Sequence, residues 1–481
     1  NCLAQVQIGT DIDGRAPGAG SGSSLAIFYA DQLVIGAPTD NTVTIFDTYN
    51  WVKNASTLQG ESTGDHFGWS VWTSRYSTDN PFIVVGAPQN DGVGTNAGHV
   101  RIFRSQWAGT NTSFNQFGSD IDGVNAGDGF GFSIDAEFDF SAQNIGWLAV
   151  GAPGSNNGTG SVRVFRPQGT GGSMVQAGST LQGQATGDSF GYKVIIRGTT
   201  LIIGSPYHDG TGKDAGQVTV FEWDLPTQDW KQKGTSLNGL AAGDLFGKSL
   251  DISGLYFPKL KQVHDVLCVG APGALSGKGA VRSYYWSDVK NSWLMALPTL
   301  YGDNAGDEFG HALEMGFRMF AIGAPGHDGN GNNSGLVRVY VHDDSIWNKV
   351  SNDVYGETAE DRFGYSIAVH GDTFAAGSIH NKAATGHTRV YKLGNTLSYQ
   401  HPIGPQSIQI YPNPSGNQVS IQYPEGFAVQ QIRVLDINGR EAARYSESLR
   451  QMDISALPVG CYVVQVQGKQ GILNSKLLVQ R

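Results

Sequence analysis

The chain has 481 residues, of which 67 are Gly, with 39% hydrophobic and only 15% charged residues. That length exceeds what one core usually holds, and the composition argues against both a helical and a disordered protein. A net charge of −10 disfavours a nucleic-acid backbone or an anionic membrane as partner, and no apolar run reaches the ~18–20 residues that span a bilayer.

The first residues, "NCLAQ", carry small residues at Cys2 and Ala4. Residues 1–4 therefore read as the remnant of a signal peptide cleaved after Ala4. Next comes "VQIGTDIDG", which resembles the last piece of a repeat unit and not the first. Residues 5–14 are therefore expected to pair with the final unit and close a ring, with "LSYQHPIG" at 397–404 as the rival segment. The three cysteines, Cys2, Cys268 and Cys461, are far apart with no CxxC, which speaks against a disulfide framework or zinc site. Cys268 and Cys461 read as small buried hydrophobes.

Two phrases then recur along the chain. The first is Asp-x-Phe-Gly, with Phe at 67, 130, 190, 246, 309 and 363 and the Gly directly after each. Its Asp falls at 65, 128, 188, 244, 307 and 361. A worn first copy spans 18–25, where Ala19 and Ser21 hold the Asp and Phe positions. The second phrase is Gly-Ala-Pro or its variants, ending at Pro38, Pro88, Pro153, Pro206, Pro272, Pro325 and Ile379. A strand-like piece such as "HVRIF" or "SVRVF" follows each. Every unit is thus four short β-rich runs between Gly, Asn and Asp turns. One such sheet cannot bury both faces, whereas seven packed radially can, which predicts a β-propeller.

Within that fold the phrases read as structural. The Phe fills the gap between neighbouring blades, and the Gly permits a close or positive-φ backbone. The Asp accepts hydrogen bonds from turn N–H groups, and Pro ends its strand. The paired phrases over residues 5–395 resemble the FG-GAP repeats of the integrin α-subunit propeller and its bacterial relatives. The resemblance implies a seven-bladed propeller used in adhesion or ligand binding. Integrin-type blades often carry an Asp-x-Asp-x-Asp-Gly calcium loop between the phrases. No such loop stands there in this sequence.

After "GNTLSYQHPIGPQ" at 394–406, a connector, residues 407–481 read as short strands between turns, suited to a small β-sandwich. Tyr411-Pro412-Asn413-Pro414, the turn Asp436 to Arg440, Leu457 to Tyr462 and Lys476 to Val479 together resemble the C-terminal sorting domain of the type IX secretion system of Bacteroidetes-type bacteria. That resemblance implies export across the outer membrane, with the translocon as partner of residues 407–481.

Chemistry is sparsely marked. "GDLFGKS" at 243–249 lacks P-loop glycine spacing and is the repeat's own Phe-Gly step. His66 and His311 flank the phrase at different offsets and read as unrelated surface residues. Loops at 90–98, 208–216 and 327–335, tipped by Asp91, Asp209 and Asp328, alternate acidic and amide residues. Asn333 and Val339 stand where an EF-type loop needs Gly and Glu, so an EF-type calcium loop fails there, and calcium is kept only as an alternative to no cofactor. "DIDG" at 11–14 and 120–123 is not matched in other units, where Gln182, Asn238, Tyr301 and Tyr355 take the second acidic position. Trp51, Trp107, Trp147, Trp223, Trp230, Trp286, Trp293 and Trp347 read as blade packing, or as platforms for sugar rings where exposed.

The sequence therefore predicts an all-β chain: residues 1–4 a signal remnant, 5–393 a seven-bladed propeller, 394–406 a linker, and 407–481 an Ig-like β-sandwich for sorting. The expected function is a non-catalytic binding or adhesion protein, secreted or on the cell surface. No catalytic or metal residues are assigned. An acidic surface favours a cationic or neutral ligand, glycans included, on the face that carries Asp91, Asp209 and Asp328. The alternatives are a polysaccharide hydrolase or lyase, marked by a polar cluster from two or three blades converging on the axis, and a structural component of a surface assembly.

Overall fold

The computed structural model describes residues 5–28, 32–47, 52–74, 81–108, 111–139, 145–168, 172–257, 262–316, 319–342, 346–350, 352–393, 408–411, 417–422, 429–436, 440–445, 451–468 and 471–479. The signal remnant, the connector, Trp51 and the Pro-Asn-Pro turn lie outside these residues. Among those described the chain is all-β and antiparallel, and its helix is confined to single turns at Ser155–Gly158, Ala274–Gly277 and Asn381–Ala384. It forms two compact units, a large one of Asn1–Lys259 with Val263–Leu397 and a small one that contains Ser398–Arg481.

In the large unit each repeat is one sheet. Repeat 3 shows the plan. Ser133–Asp139, Ile145–Ala152, Ser161–Gln168 and Ser173–Gln176 lie side by side in chain order, and the short strand Leu181–Gln182 returns to the third. Among the described residues seven such sheets occur, the first with four strands and the rest with five. The seventh takes its outer strands from the N-terminal segment. Gln5–Gln7 pairs with Tyr391 to Leu393, and Ile12–Asp13 pairs with His387 and Thr388. This is the pairing the sequence predicts; the rival 397–404 lies outside the described residues.

The first strands touch in a circuit. Ser24–Phe28 packs on Ser70–Thr73, and contact passes through Ser133–Asp139, Lys193–Arg197, Ser249–Phe257, Leu313–Met315 and Ser366–His370 back to Ser24–Phe28. Carboxylates bind some of them together. Asp135 accepts from Ile196 N at 2.7 Å, and Asp251 accepts from Met315 N at 2.5 Å. The core follows the same plan: each buried cluster of the large unit draws on two neighbouring sheets, repeats 7 and 1 included.

The two phrases meet at every junction. Phe67, Phe130, Phe190, Phe246, Phe309 and Phe363 are buried between adjacent sheets. Most of them meet an aromatic ring of their own third strand edge-on, as Phe67 meets Phe103 at 6.0 Å. The following Gly has φ near +90°, for instance 93° at Gly68 and 90° at Gly131, where a side chain is strained. Its N–H donates to the Gly of the second phrase, Gly68 to Gly86 at 3.1 Å. Its carbonyl receives a hydroxyl from the preceding repeat, Ser24 to Gly68 and Ser70 to Gly131, both at 2.7 Å. The buried Asp caps its turn as expected: Asp65 accepts from Ser62 N at 2.9 Å, and Asp128 from Asn125 N at 2.9 Å.

The described residues of the small unit form two sheets. One pairs Gln409–Tyr411, Gln418–Gln422 and Gln451–Asp453; the other pairs Glu441–Tyr445, Val429–Leu435, Gly460–Gly468 and Gly471–Val479. Ile410, Val419 and Met452 from the first share a core with Ile432, Val464 and Leu477 from the second.

A Cβ on Gly86 would come closer than 3.0 Å to the Gly131 carbonyl oxygen of the next repeat. Gly86→Ala should therefore cost at least about 2 kcal/mol of stability in urea unfolding. A loss below about 0.5 kcal/mol, the range of surface changes, would contradict this packing.

Candidate functional site

The residues on either side of each Phe-Gly step vary while the step stays fixed. The residue before Phe takes a left-handed backbone, with φ of 56° at His66, 54° at Ser189, 56° at Leu245, 58° at Glu308 and 55° at Arg362. Such conformations are uncommon outside Gly and collect at functional sites. The residue after the Gly opens the first strand: Ser23, Trp69, Phe132, Tyr192, Lys248, His311 and Tyr365. Because the first strands form a circuit, these residues form a ring at its centre.

One arc of that ring is aromatic. Trp69 and Phe132 have centroids 5.2 Å apart, and Phe132 and Tyr192 4.9 Å. His66 stacks parallel on Trp69 at 6.0 Å, and Tyr207 meets Tyr192 edge-on at 5.8 Å. The other arc is charged. Arg362 Nη2 donates to Glu308 Oε2 at 2.8 Å, and His311 Nδ1 lies 3.2 Å from the same oxygen. The His311 ring lies 4.8 Å from Tyr365, and Lys248 is in electrostatic reach of both Glu308 and Arg362.

The electrostatics follow from burial and neighbours. His311, and then the Arg362 and Lys248 charges, hold the Glu308 carboxyl down to about 2 against the opposing effect of burial. Burial lowers His311, with Glu308 opposing, so its imidazole is neutral at pH 7. Burial also lowers the Lys248 ammonium, with Glu308 opposing. The Tyr192 phenol is raised by burial, then by Tyr207 and Tyr365. Two cations thus face one carboxylate beside a bank of rings, a local positive surplus in an acidic protein. Such an arc accepts an anionic group, and the rings accept an apolar sugar or aromatic face.

This arrangement changes two readings. His66 and His311 are not unrelated surface residues: both belong to the central ring, because both flank a Phe-Gly step that faces the centre. Lys248, rejected as a P-loop lysine, is followed by the strand Ser249–Phe257 and takes its place in the ring instead. Trp69, Phe132 and Tyr192 carry no recognised motif; their signal is variation directly after an invariant Phe-Gly. The other aromatics pack as predicted where described. Trp147, Trp223 and Trp230 meet at 5.1–5.2 Å, and Trp347 meets Phe320 at 4.9 Å. Cys268 is free and fully buried; the Cys461 side chain lies outside the described residues.

Metal-ligating groups gather elsewhere. The Asp91, Asp209 and Asp328 carboxylates close their own loops, accepting from Asn96 N, Asp214 N and Asn333 N at 2.7–2.9 Å. Asn330 and Asn332 donate to Gly356 O and Glu360, so the alternating residues of that loop do not converge on one point. Among the described residues three sets of His and carboxylates lie within 4.8 Å: Glu61, His99 and Asp120; Asp303, Asp307 and His327; and Asp11, Glu357 and His387. In the first, Arg101 bridges Glu61 and Asp120. In the second, Arg338 bridges Asp303 at 2.6 Å and Asp353 at 2.8 Å.

Comparison with known families gives two matches. Residues 180–221, which hold the Asp188-to-Gly191 and Gly204-to-Pro206 phrases, match the FG-GAP repeat. Residues 409–480 match the secretion system C-terminal sorting domain. That domain, of the type IX system, indicates export to the cell surface or beyond it. No curated protein matches the chain. Among the described residues no helix is long and apolar enough to cross a membrane.

The depressed Glu308 carboxyl gives a signed pH test. A carboxyl lowered on folding stabilises the fold above its ordinary value of 4.5, and that contribution fades as pH falls toward about 2. Glu308→Gln should remove this component, so the gap in Tm between parent and variant should narrow across that window. A gap that stays constant from pH 6 to about 2 would contradict the assigned ion pairs.

Proposed function

We propose that the protein is an exported seven-bladed β-propeller, followed by an Ig-like sorting sandwich, that binds a carboxylated glycan at its central ring without altering it. Seven sheets whose first strands touch in a circuit support the propeller. The observation that carries the function is the division of the ring, with Lys248 and Arg362 on one arc and Trp69, Phe132 and Tyr192 on the other. A uronate-type sugar offers a carboxylate for the cations and a ring face for the aromatics. The ring lies on the side of the sheets where both phrases end, the side that also carries Asp91, Asp209 and Asp328. The type IX domain supports delivery to the outside, where such glycans are met. Adhesion to a surface polymer is the resulting role.

The enzyme reading keeps one specific support. Lys248, Glu308, His311, Arg362 and Tyr365 come from three consecutive repeats and converge on one point. A neutral His311 beside Tyr365 is suited to move a proton while Lys248 and Arg362 balance a substrate carboxylate. Release of shorter or unsaturated products from a polyuronate, lost in His311→Ala while binding persists, would replace the binding reading with a lyase.

The test is an array of polyuronates and neutral glycans probed with the protein without added calcium. Binding should favour the polyuronates. Lys248→Ala and Arg362→Ala should each weaken it at least about tenfold, as loss of a charge-assisted contact does. Asp328→Ala should leave it unchanged. Full binding by both cation variants would overturn the assignment.

A further inference from the structure

In two of the three His and carboxylate sets the histidine, His99 or His387, opens the third strand of its repeat; His327 does not. Glu61, Asp303 and Glu357 each follow the Gly after a repeat's last strand, and Asp120, Asp353 and Asp11 each precede the last strand of the next repeat. Arg101, Arg338 and Arg389 hold the same place on the third strand. In repeats 2 and 6 that arginine lies between the carboxylates and neutralises them. In repeat 7 it does not. Arg389 donates to Tyr355 O at 2.6 Å and lies over the Phe363 ring at 4.1 Å. Among the described residues no carboxylate is within ion-pair distance of it. Asp11 and Glu357 are left as a carboxylate pair without the bridging cation that their counterparts have.

His387 completes the set. It is fully buried, and neither ring nitrogen has a hydrogen-bond partner. Its Nδ1 lies 4.0 Å from Glu357 Oε2. An imidazole buried in this way is costly unless something accepts its lone pair. His99, its counterpart in repeat 2, sits 3.7 Å from Asp120, where Arg101 already supplies the positive charge.

We propose that Asp11, Glu357 and His387 bind one divalent d-block cation of the zinc class. One imidazole and two carboxylates suit zinc, whereas calcium takes oxygen ligands alone. Ligand atoms around a tetrahedral zinc stand roughly 3.3 Å apart, given bonds near 2.0 Å. The three donors are within 4.8 Å now, and Glu357, 40% exposed and hydrogen-bonded to Asp11, has room to close the remainder. A water would hold the fourth position. The ligands come from the N-terminal segment, the loop that enters repeat 7 and the third strand of repeat 7. The cation would therefore clip the two ends of the large unit together at the seam. This site is separate from the central ring, and its failure leaves the glycan reading intact.

The test uses the full chain stripped with chelator and dialysed, then titrated with Zn2+ by calorimetry and followed by thermal melting. One Zn2+ per chain and a rise in Tm are expected. Asp11→Asn, Glu357→Gln and His387→Gln should each weaken binding at least tenfold and lose the rise in Tm; His99→Gln should keep both. Glu357 is exposed enough that its variant should fold even where His387→Gln does not. Co2+ in place of Zn2+ should give visible d–d absorption in the parent and not in Glu357→Gln. Absence of binding, or Zn2+ and Co2+ binding that survives Glu357→Gln and Asp11→Asn, would overturn the site.

Discussion

The large unit depends on one close approach of backbone to backbone. The carbonyl of the Phe-Gly glycine in one repeat rests where a Cβ of the preceding repeat's Gly-Ala-Pro glycine would stand, as Gly131 does against Gly86 and Gly68 against Gly36. Only glycine allows that contact, and only a positive φ turns the carbonyl toward it. A serine hydroxyl on the first strand fixes it, at Ser24, Ser70, Ser249 and Ser366. The buried Phe then fills the wedge that opens outward from the junction. Fixing the step at each junction leaves the residues on either side of it free. They are the ones held at the centre, so the structural requirement that preserves the phrase also presents a ring of variable side chains.

This explains which features were legible. The phrases recur, so the repeat, the turn-capping Asp, the junction Phe and the pairing of residues 5–14 with the last repeat follow from the sequence. The central ring does not, because from Trp69 to Tyr365 its neighbours lie 54–63 residues apart and meet only after the sheets pack. His311 is an ordinary histidine until Glu308, Arg362 and Tyr365 surround it. Lys248 stands in a stretch that resembles a different motif. In "DIDG" the first Asp, Asp11 or Asp120, and not the second, belongs to the group around the histidine.

The third-strand arginine shows how one scaffold position serves different ends. Arg163 and Arg389 lie over the junction Phe at 4.1 Å. Arg101 and Arg338 instead bridge carboxylate pairs that tie the entering loop to the returning strand. A guanidinium can do both because it is planar and carries donors around its edge. Where it turns to the ring and to a carbonyl, as at Arg389, the charge of the acid pair has to be met by other means.

That position is also where the fold has most to gain from a link. The other junctions join repeats adjacent in sequence. The seam joins Gln5 to Leu393, almost the full length of the large unit. Loop-closure entropy grows with the logarithm of the loop, so this pairing is the least favoured contact before the circuit forms. Until the ring closes, the buried faces of Leu25, Ile27, Ala368 and Ala375 stand in water, so burial of this cluster is coupled to closure. A buried histidine and two carboxylates drawn from both sides of that seam stand where one ionic link would hold the longest loop closed.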